Sequence, residues 1–305
     1  MRILCGDIGG TNTRLGLWKD GAFSFEQVYA SGEWAGLEGP LGAWLSETGA
    51  VPDRACFAVA GPVRGDRCVA TNLPWIVDGP SLAARLGCPT RVINDFHAAA
   101  RGVDLLGAAD RVQLAGGSPT PGAPRAVLGA GTGLGEAYLV GDAVVPGEGG
   151  HVEFGPSDPR DLALAGWLIA RYGRASWEDV LSGPGLVNLS RFLRESRGEH
   201  SPAWLDHADA PGRVAANDAE AVAWFCELYG TEAGNMALRV LAHGGVYLCG
   251  GIAPRLLSGL QGGGFLRRFL AKGKVSPAIA GVPVYVVTHP QLGLLGAAAE
   301  ALRIR

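Results

Sequence analysis

The chain opens on a short apolar run, residues 2–6, that stops at Asp7 and gives way to Gly9, Gly10 and Thr11. Apolar runs of this length, bounded by turn residues, predict buried strands. Residues 13–18 and 22–29 predict two more, joined by Lys19-Asp20-Gly21. The Asp-Gly step tolerates positive φ and is a strong hairpin signal. Residues 55–63 read as another apolar strand, closed by Gly61-Pro62, and residues 64–75 as a hairpin and loop. Residues 81–87 predict a short helix with Ser81 as a candidate N-cap and Gly87 as its stop. Residues 90–103 read as a strand, a polar turn at Asn94-Asp95, then a helix.

A Gly/Pro-rich link at 116–124 follows, and the pattern restarts. Residues 125–140 are strand, glycine loop, strand, with a threonine in the loop, which echoes the start of the chain and suggests a duplicated unit. Helical patterns cover 161–172, 177–197, 217–242 and 264–272. Residues 244–257 read as strand, double glycine and helix, 283–287 as a strand and 293–303 as a final helix. The mixture predicts an α/β protein in two lobes.

Composition narrows the function classes. A length of 305 residues suits two domains. The net charge is −3 and no basic stripe is present, which argues against nucleic acid as a partner. No apolar stretch reaches the ~20 residues that a membrane span needs, and the first strand is expected to begin without a basic leader. The 48 glycines are not periodic, and many sit in pairs at the ends of apolar runs. Of six scattered cysteines, none forms a C-x-x-C pair, and Cys5, Cys56 and Cys249 lie inside apolar runs. Buried free thiols and a reducing, cytoplasmic setting are expected.

Three glycine turns follow apolar strands: "DIGGTN" (7–12), "GAGTGLG" (129–135) and "CGGI" (249–252). Without Cβ atoms, such turns let backbone N–H groups approach an anion, and Thr11 and Thr132 add hydroxyl donors. Neither a Walker A pattern nor a strict G-x-G-x-x-G is present. The plain alternative is tight turns and packing glycines. "INDF" (93–96) sets an amide beside a carboxylate at the end of an apolar strand, where open α/β sheets bind ligands. It reads as an Asx turn or helix cap, or as Asp95 accepting a hydroxyl proton while Asn94 orients the substrate. "PGEGGHVEF" (146–154) carries Glu148 and His151 in a glycine-rich turn, a pair of groups suited to a polyol. Its His-x-Glu lacks the P-C-x-x-C partner of a zinc deaminase, so a zinc site is not expected. In "SWEDVLSGPGLVNL" (176–189), Ser176 is a candidate cap, and Glu178 in the first turn reads as favourable helix-dipole electrostatics.

Taken in order, these stretches resemble the bacterial glucokinase family, the ATP-dependent, non-zinc group within the actin-like sugar kinase superfamily. The resemblance runs through "GDIGGTNTRLGL" (6–17), "TNLPW" (71–75), "INDF", "GAGTGLG", "PGEGGHVEF", "SWEDVLSGPGLVNL", "CGGIAPR" (249–255) and "GLLGAA" (293–298). It implies an α/β fold of two actin-like (ribonuclease H-like) lobes around a deep cleft, with mixed sheets flanked by helices. The smaller lobe is expected at 1–106 plus 289–305, the larger at 107–288. It implies Asp95 as catalytic base and Asn94, Asp95, Glu148, His151 and Glu178 as glucose ligands. Gly6, Asp7, Ile8, Gly9, Gly10 and Thr11 match the first phosphate motif. Gly131, Thr132 and Gly133 match the second, and Gly250 and Gly251 the adenosine side. ATP with Mg²⁺, and a homodimer, are implied as well. Related kinases and repressors of the ROK type carry a cysteine-rich zinc motif after the glycine-histidine motif, and residues 151–161 here contain no cysteine. A kinase for another hexose (mannose, fructose or an amino sugar) would share every phosphate loop. A non-catalytic sugar-binding regulator is the remaining alternative.

Overall fold

A computed structural model describes residues 1–304. The chain divides into two compact units, Met1–Gly107 with the segment from His289 onward, and Ala108–Thr288.

In the first unit β1 (Ile3–Ile8), β2 (Asn12–Lys19) and β3 (Ala22–Ala30) form an antiparallel meander. Asp20 and Gly21 both adopt positive φ at the β2–β3 turn, as the Asp-Gly step predicts. Helix α1 (Glu38–Thr48) was not legible in the sequence. Its Gly39, Pro40 and Gly42 weaken helix propensity, and burial of Leu41 and Trp44 holds it instead. Strand β4 (Arg54–Val59) pairs parallel to β1. Short strands β5 (Val63–Arg64), β6 (Arg67–Val69) and β7 (Ile76–Asp78) form a small separate sheet. Helix α2 (Gly79–Leu86) starts earlier than expected. Asp78, not Ser81, is its cap, accepting from Ser81 N at 3.0 Å, and Gly87 ends it at φ 67°. Strand β8 (Thr90–Asn94) pairs parallel to β4 and leads directly into α3 (Asp95–Gly102). The five-stranded order is β3-β2-β1-β4-β8.

The second unit contains β9 (Arg111–Ala115), β10 (Arg125–Ala130), β11 (Leu134–Val140) and β12 (Ala143–Gly147), then helices α4 (Pro159–Tyr172), α5 (Gly183–Glu195), α6 (Ala210–Asn217) and α7 (Ala219–Val240). Strand β13 (Gly245–Cys249), helices α8 (Leu257–Gln261) and α9 (Gly264–Leu270) and strand β14 (Val284–Val287) complete it. The sheet order is β12-β11-β10-β13-β14-β9. A meander of three antiparallel strands is again continued by parallel neighbours, so the sequence echo is a structural repeat. Helix α5 begins at Gly183, not 177, because Ser182 caps Gly185 N at 2.9 Å and Pro184 occupies the first turn. The last helix, α10 (Leu292–Ala301), belongs to the first unit and packs on α3, β1 and β4.

Candidate active site

In the first unit Asp7, Val59 and Asn94 lie at the carboxyl ends of three adjacent parallel strands. The register pairs Ile8 with Val59 and Val59 with Asn94. That edge is where open α/β sheets bind ligands. The β1–β2 turn is closed by Gly9 N donating to Asn12 O at 2.9 Å, and Ser31 Oγ donates to Gly9 O at 2.8 Å. Buried Ser31, which no local pattern singles out, thus fixes the Gly9-Gly10-Thr11 turn from 20 residues away in sequence or more. Gly6 differs from the turn glycines. It lies mid-strand, and a Cβ there would run into the Phe57 ring, so packing accounts for it. Ile8 is likewise buried in the core. The half-buried Asp7 carboxylate lies against the first turn of α10, where a Cβ on Gly293 would sit 2.7 Å from its Oδ2. Burial raises the Asp7 carboxyl above its usual range, and the Arg14 guanidinium opposes the shift.

Asn94 is the N-cap of α3. Its Oδ1 accepts from Phe96 N at 2.8 Å and His97 N at 3.1 Å. Its Nδ2 donates to Gly61 O at 3.1 Å and to Asp95 Oδ1 at 2.8 Å. Phe96 N also donates to Asp95 Oδ1, at 3.0 Å. The helix-cap reading is met, and the same residue bonds the neighbouring carboxylate. The cap orients the carboxylate, and a sugar contact by Asn94 must replace one of its internal bonds.

In the second unit the turn at Gly131-Thr132-Gly133 leaves β10, and the turn at Gly250-Gly251 leaves its parallel neighbour β13, with Gly129 opposite Cys249. A side chain at Gly131 or Gly251 would meet no protein atom within 4 Å, so packing does not explain these glycines. Gly250 is structural, with φ at +81° and Ala130 O only 2.5 Å from where a Cβ would lie. Tyr229 of α7 ties both strand ends. Its hydroxyl accepts from Ala130 N at 3.2 Å and faces Leu128 O and Cys249 O at 3.3 and 3.5 Å. Sequence spacing gave no signal for it, because the contact spans about a hundred residues.

Glu178 is not in the first turn of a helix, so the helix-dipole reading fails. It precedes α5, in a turn where its backbone N donates to Gly150 O at 2.8 Å. Its Oε2 accepts from Leu134 N at 2.8 Å and touches Gly133, while Oε1 lies 3.8 Å from His151 Nδ1. Gly183 N donates to Gly131 O at 2.8 Å. The second glycine turn, His151 and Glu178 are thus one assembly. Glu148 heads the same turn, its carbonyl accepting from His151 N at 3.0 Å, and its side chain is exposed. Among the described residues no group of three or more His, Cys, Asp or Glu could hold a metal ion.

A family model described as Glucokinase matches residues 4–304. The chain belongs to the glucokinase family. Curated glucokinases agree along nearly the whole length. That of Marinobacter nauticus is 42% identical, covering 98% of this chain and 96% of its own. That of a Nostoc species is 36% identical, covering 99% of each. The crystal structure of a glucokinase from an Antarctic psychrotroph superposes with a TM-score of 0.89 at 32% identity, covering 99% of both chains. A ROK family glucokinase from Streptomyces griseus, solved with glucose and AMPPNP, shares the fold at a TM-score of 0.70 and 20% identity, over the whole of both chains. The glucokinase-family chain is an enzyme with the mixed α/β, actin-like fold of these sugar kinases.

Proposed function

We propose that the enzyme transfers the γ-phosphoryl of ATP to the 6-hydroxyl of D-glucose, with Asp95 as the general base. The observation that carries the residue assignment is the double hold on Asp95 Oδ1, from Asn94 Nδ2 and Phe96 N, which fixes the carboxylate at the first turn of α3. Phosphoryl transfer depends chiefly on positioning and charge stabilisation. Asp95 accepts the hydroxyl proton and aims the oxygen for in-line attack. Asn94, Glu148, His151 and Glu178 read ring hydroxyls, each bond to a charged group contributing ~1.5–3 kcal/mol.

Backbone donors of Gly10 and Thr11 bind the phosphates, on the turn that Gly9 N closes by donating to Asn12 O. Those of Thr132 and Gly133 bind them as well, on a turn closed by Gly131 N donating to Gly133 O, and Gly250 and Gly251 flank the adenosine. Mg²⁺ bound with the nucleotide would supply charge neutralisation at the phosphates. Such an ion needs one or two carboxylates besides phosphates and water, and Asp7, beside a glycine turn, fits that requirement. A reducing cytoplasmic setting accords with six free, buried cysteines, and among the described residues no helix is long and apolar enough to cross a membrane. A homodimer is proposed from the family resemblance.

The test is sugar-dependent ADP formation across a panel of hexoses. Glucose is expected to give the highest kcat/KM. A preference for mannose, fructose or an amino sugar would refute the substrate assignment. Sugar binding without turnover would refute the kinase reading.

A further inference from the structure

Glu136 of β11 is 1% exposed and pairs in register with Gly147 of β12, beneath the turn that carries Glu148 and His151. A Cβ on Gly149 would fall 2.5 Å from the Glu136 carboxyl carbon, so a side chain at 149 would displace this carboxyl from its present place. Glu136 Oε1 is buried with no hydrogen-bond partner among the described residues. Oε2 faces Arg239 Nη1 at 3.5 Å, but the same nitrogen bonds Glu232 Oε1 at 2.6 Å. One guanidinium on α7 therefore serves two buried carboxyls. Tyr138 on β11 shares that guanidinium at 3.4 Å. A buried, incompletely satisfied polar group is costly unless it has a role.

We propose that Glu136 is a positioning residue for the sugar-reading turn: its buried carboxyl fixes the Gly149 backbone and so sets where Glu148 and His151 present their side chains. The proposal rests on the reading that those two residues bind sugar. A neutral carboxyl fits against the turn. An ionised one adds a second negative charge beside Glu232, in contact with the backbone between two sugar ligands. Burial first, and Glu232 second, push the Glu136 carboxyl up to about 7, with Arg239 opposing. The two forms therefore exchange near neutral pH.

The experiment measures glucose KM, ATP KM and kcat from pH 5.5 to 8.5 for the full-length enzyme and for Glu136→Gln, Glu232→Gln and Glu148→Gln. Glucose KM of the unmodified enzyme is expected to rise roughly threefold to tenfold as Glu136 ionises, the worth of one perturbed hydrogen bond. Glu136→Gln is expected to abolish that rise without moving ATP KM. Glu232→Gln is expected to shift the rise to lower pH, because Glu136 then ionises more easily. An unchanged pH profile in Glu136→Gln overturns the proposal. So does a lowered melting temperature with glucose and ATP KM raised alike, which would mark a purely structural role. Glu148→Gln separates the two claims. If it leaves glucose KM unchanged, the sugar reading of the turn fails. If it raises glucose KM while Glu136→Gln keeps the pH profile, only the role of Glu136 fails.

Discussion

Each hydrogen-bonding position of the Asn94 amide is engaged, two on the α3 backbone, one on Gly61 and one on Asp95. The residue therefore couples helix stability to carboxylate orientation, and the two can be separated. Asn94→Asp keeps a good N-cap but removes the donor to Asp95 and sets a second carboxylate beside it. The melting temperature is expected to change little while kcat falls by ~10-fold or more. Thermal unfolding and steady-state kinetics on one preparation check both. The cap at this pair was legible in the sequence, because an Asx residue between a strand and a helix is a natural N-cap. Ser31 and Tyr229 were not legible. Each is one polar residue whose partner is brought near by folding, and no local spacing encodes that. Gly6 shows the opposite error, since a glycine that makes room for Phe57 looks in sequence like part of a phosphate turn.

Among elements, α10 carries two separable tasks. Its first turn abuts Asp7, and Gly293 leaves the space in which that carboxylate lies. Gly293→Ala is expected to displace Asp7 and raise the KM for MgATP severalfold, leaving glucose affinity near normal. Isothermal titration with each substrate reads the difference. Toward its far end, Glu300 binds Arg101 Nε at 2.8 Å, Arg91 Nη1 at 2.9 Å and His97 Nε2 at 3.3 Å, joining α10 to α3 and β8. Burial alone would raise this carboxyl, but the His97 and Arg101 contacts outweigh it and lower it to about 2. Its folded value lies below its unfolded one, so the stabilisation is complete above the ordinary glutamate range. It is lost as pH falls from there toward 2. Glu300→Gln is expected to cost on the order of 2–3 kcal/mol at pH 7. The gap in melting temperature from the unmodified protein is expected to narrow between pH 5 and pH 3. A constant gap would contradict the assignment. The start of α5 was misread because the apolar spacing of 177–182 runs on into the helix. The backbone breaks there instead, where Glu178 turns back to Leu134 and Gly150.

At the scale of the molecule, one chain pattern is used twice: a three-strand meander continued by parallel strands, with a glycine turn after the first strand of each meander. This much the spacing of apolar runs and glycines foretold. It did not foretell edge strand β9, whose central position alone faces outward between half-buried neighbours, so no clean alternation marks it. The six cysteines are buried in both units. Burial raises the thiols of Cys5 and Cys56 well above the usual range, and those of Cys68 and Cys226 to about 11 and about 12. The native enzyme is therefore expected to react with almost no thiol reagent at pH 8, and the unfolded chain with all six equivalents. Reaction of several cysteines without loss of structure would contradict the burial. The central claim is that Asp95 takes the proton from the sugar hydroxyl. Its most direct test is the single-turnover rate of phosphoryl transfer from ATP to glucose in Asp95→Ala. The account predicts a fall of roughly 10²–10⁴ with ATP affinity and the melting profile preserved. Transfer at a near-normal rate by a folded Asp95→Ala enzyme would contradict it.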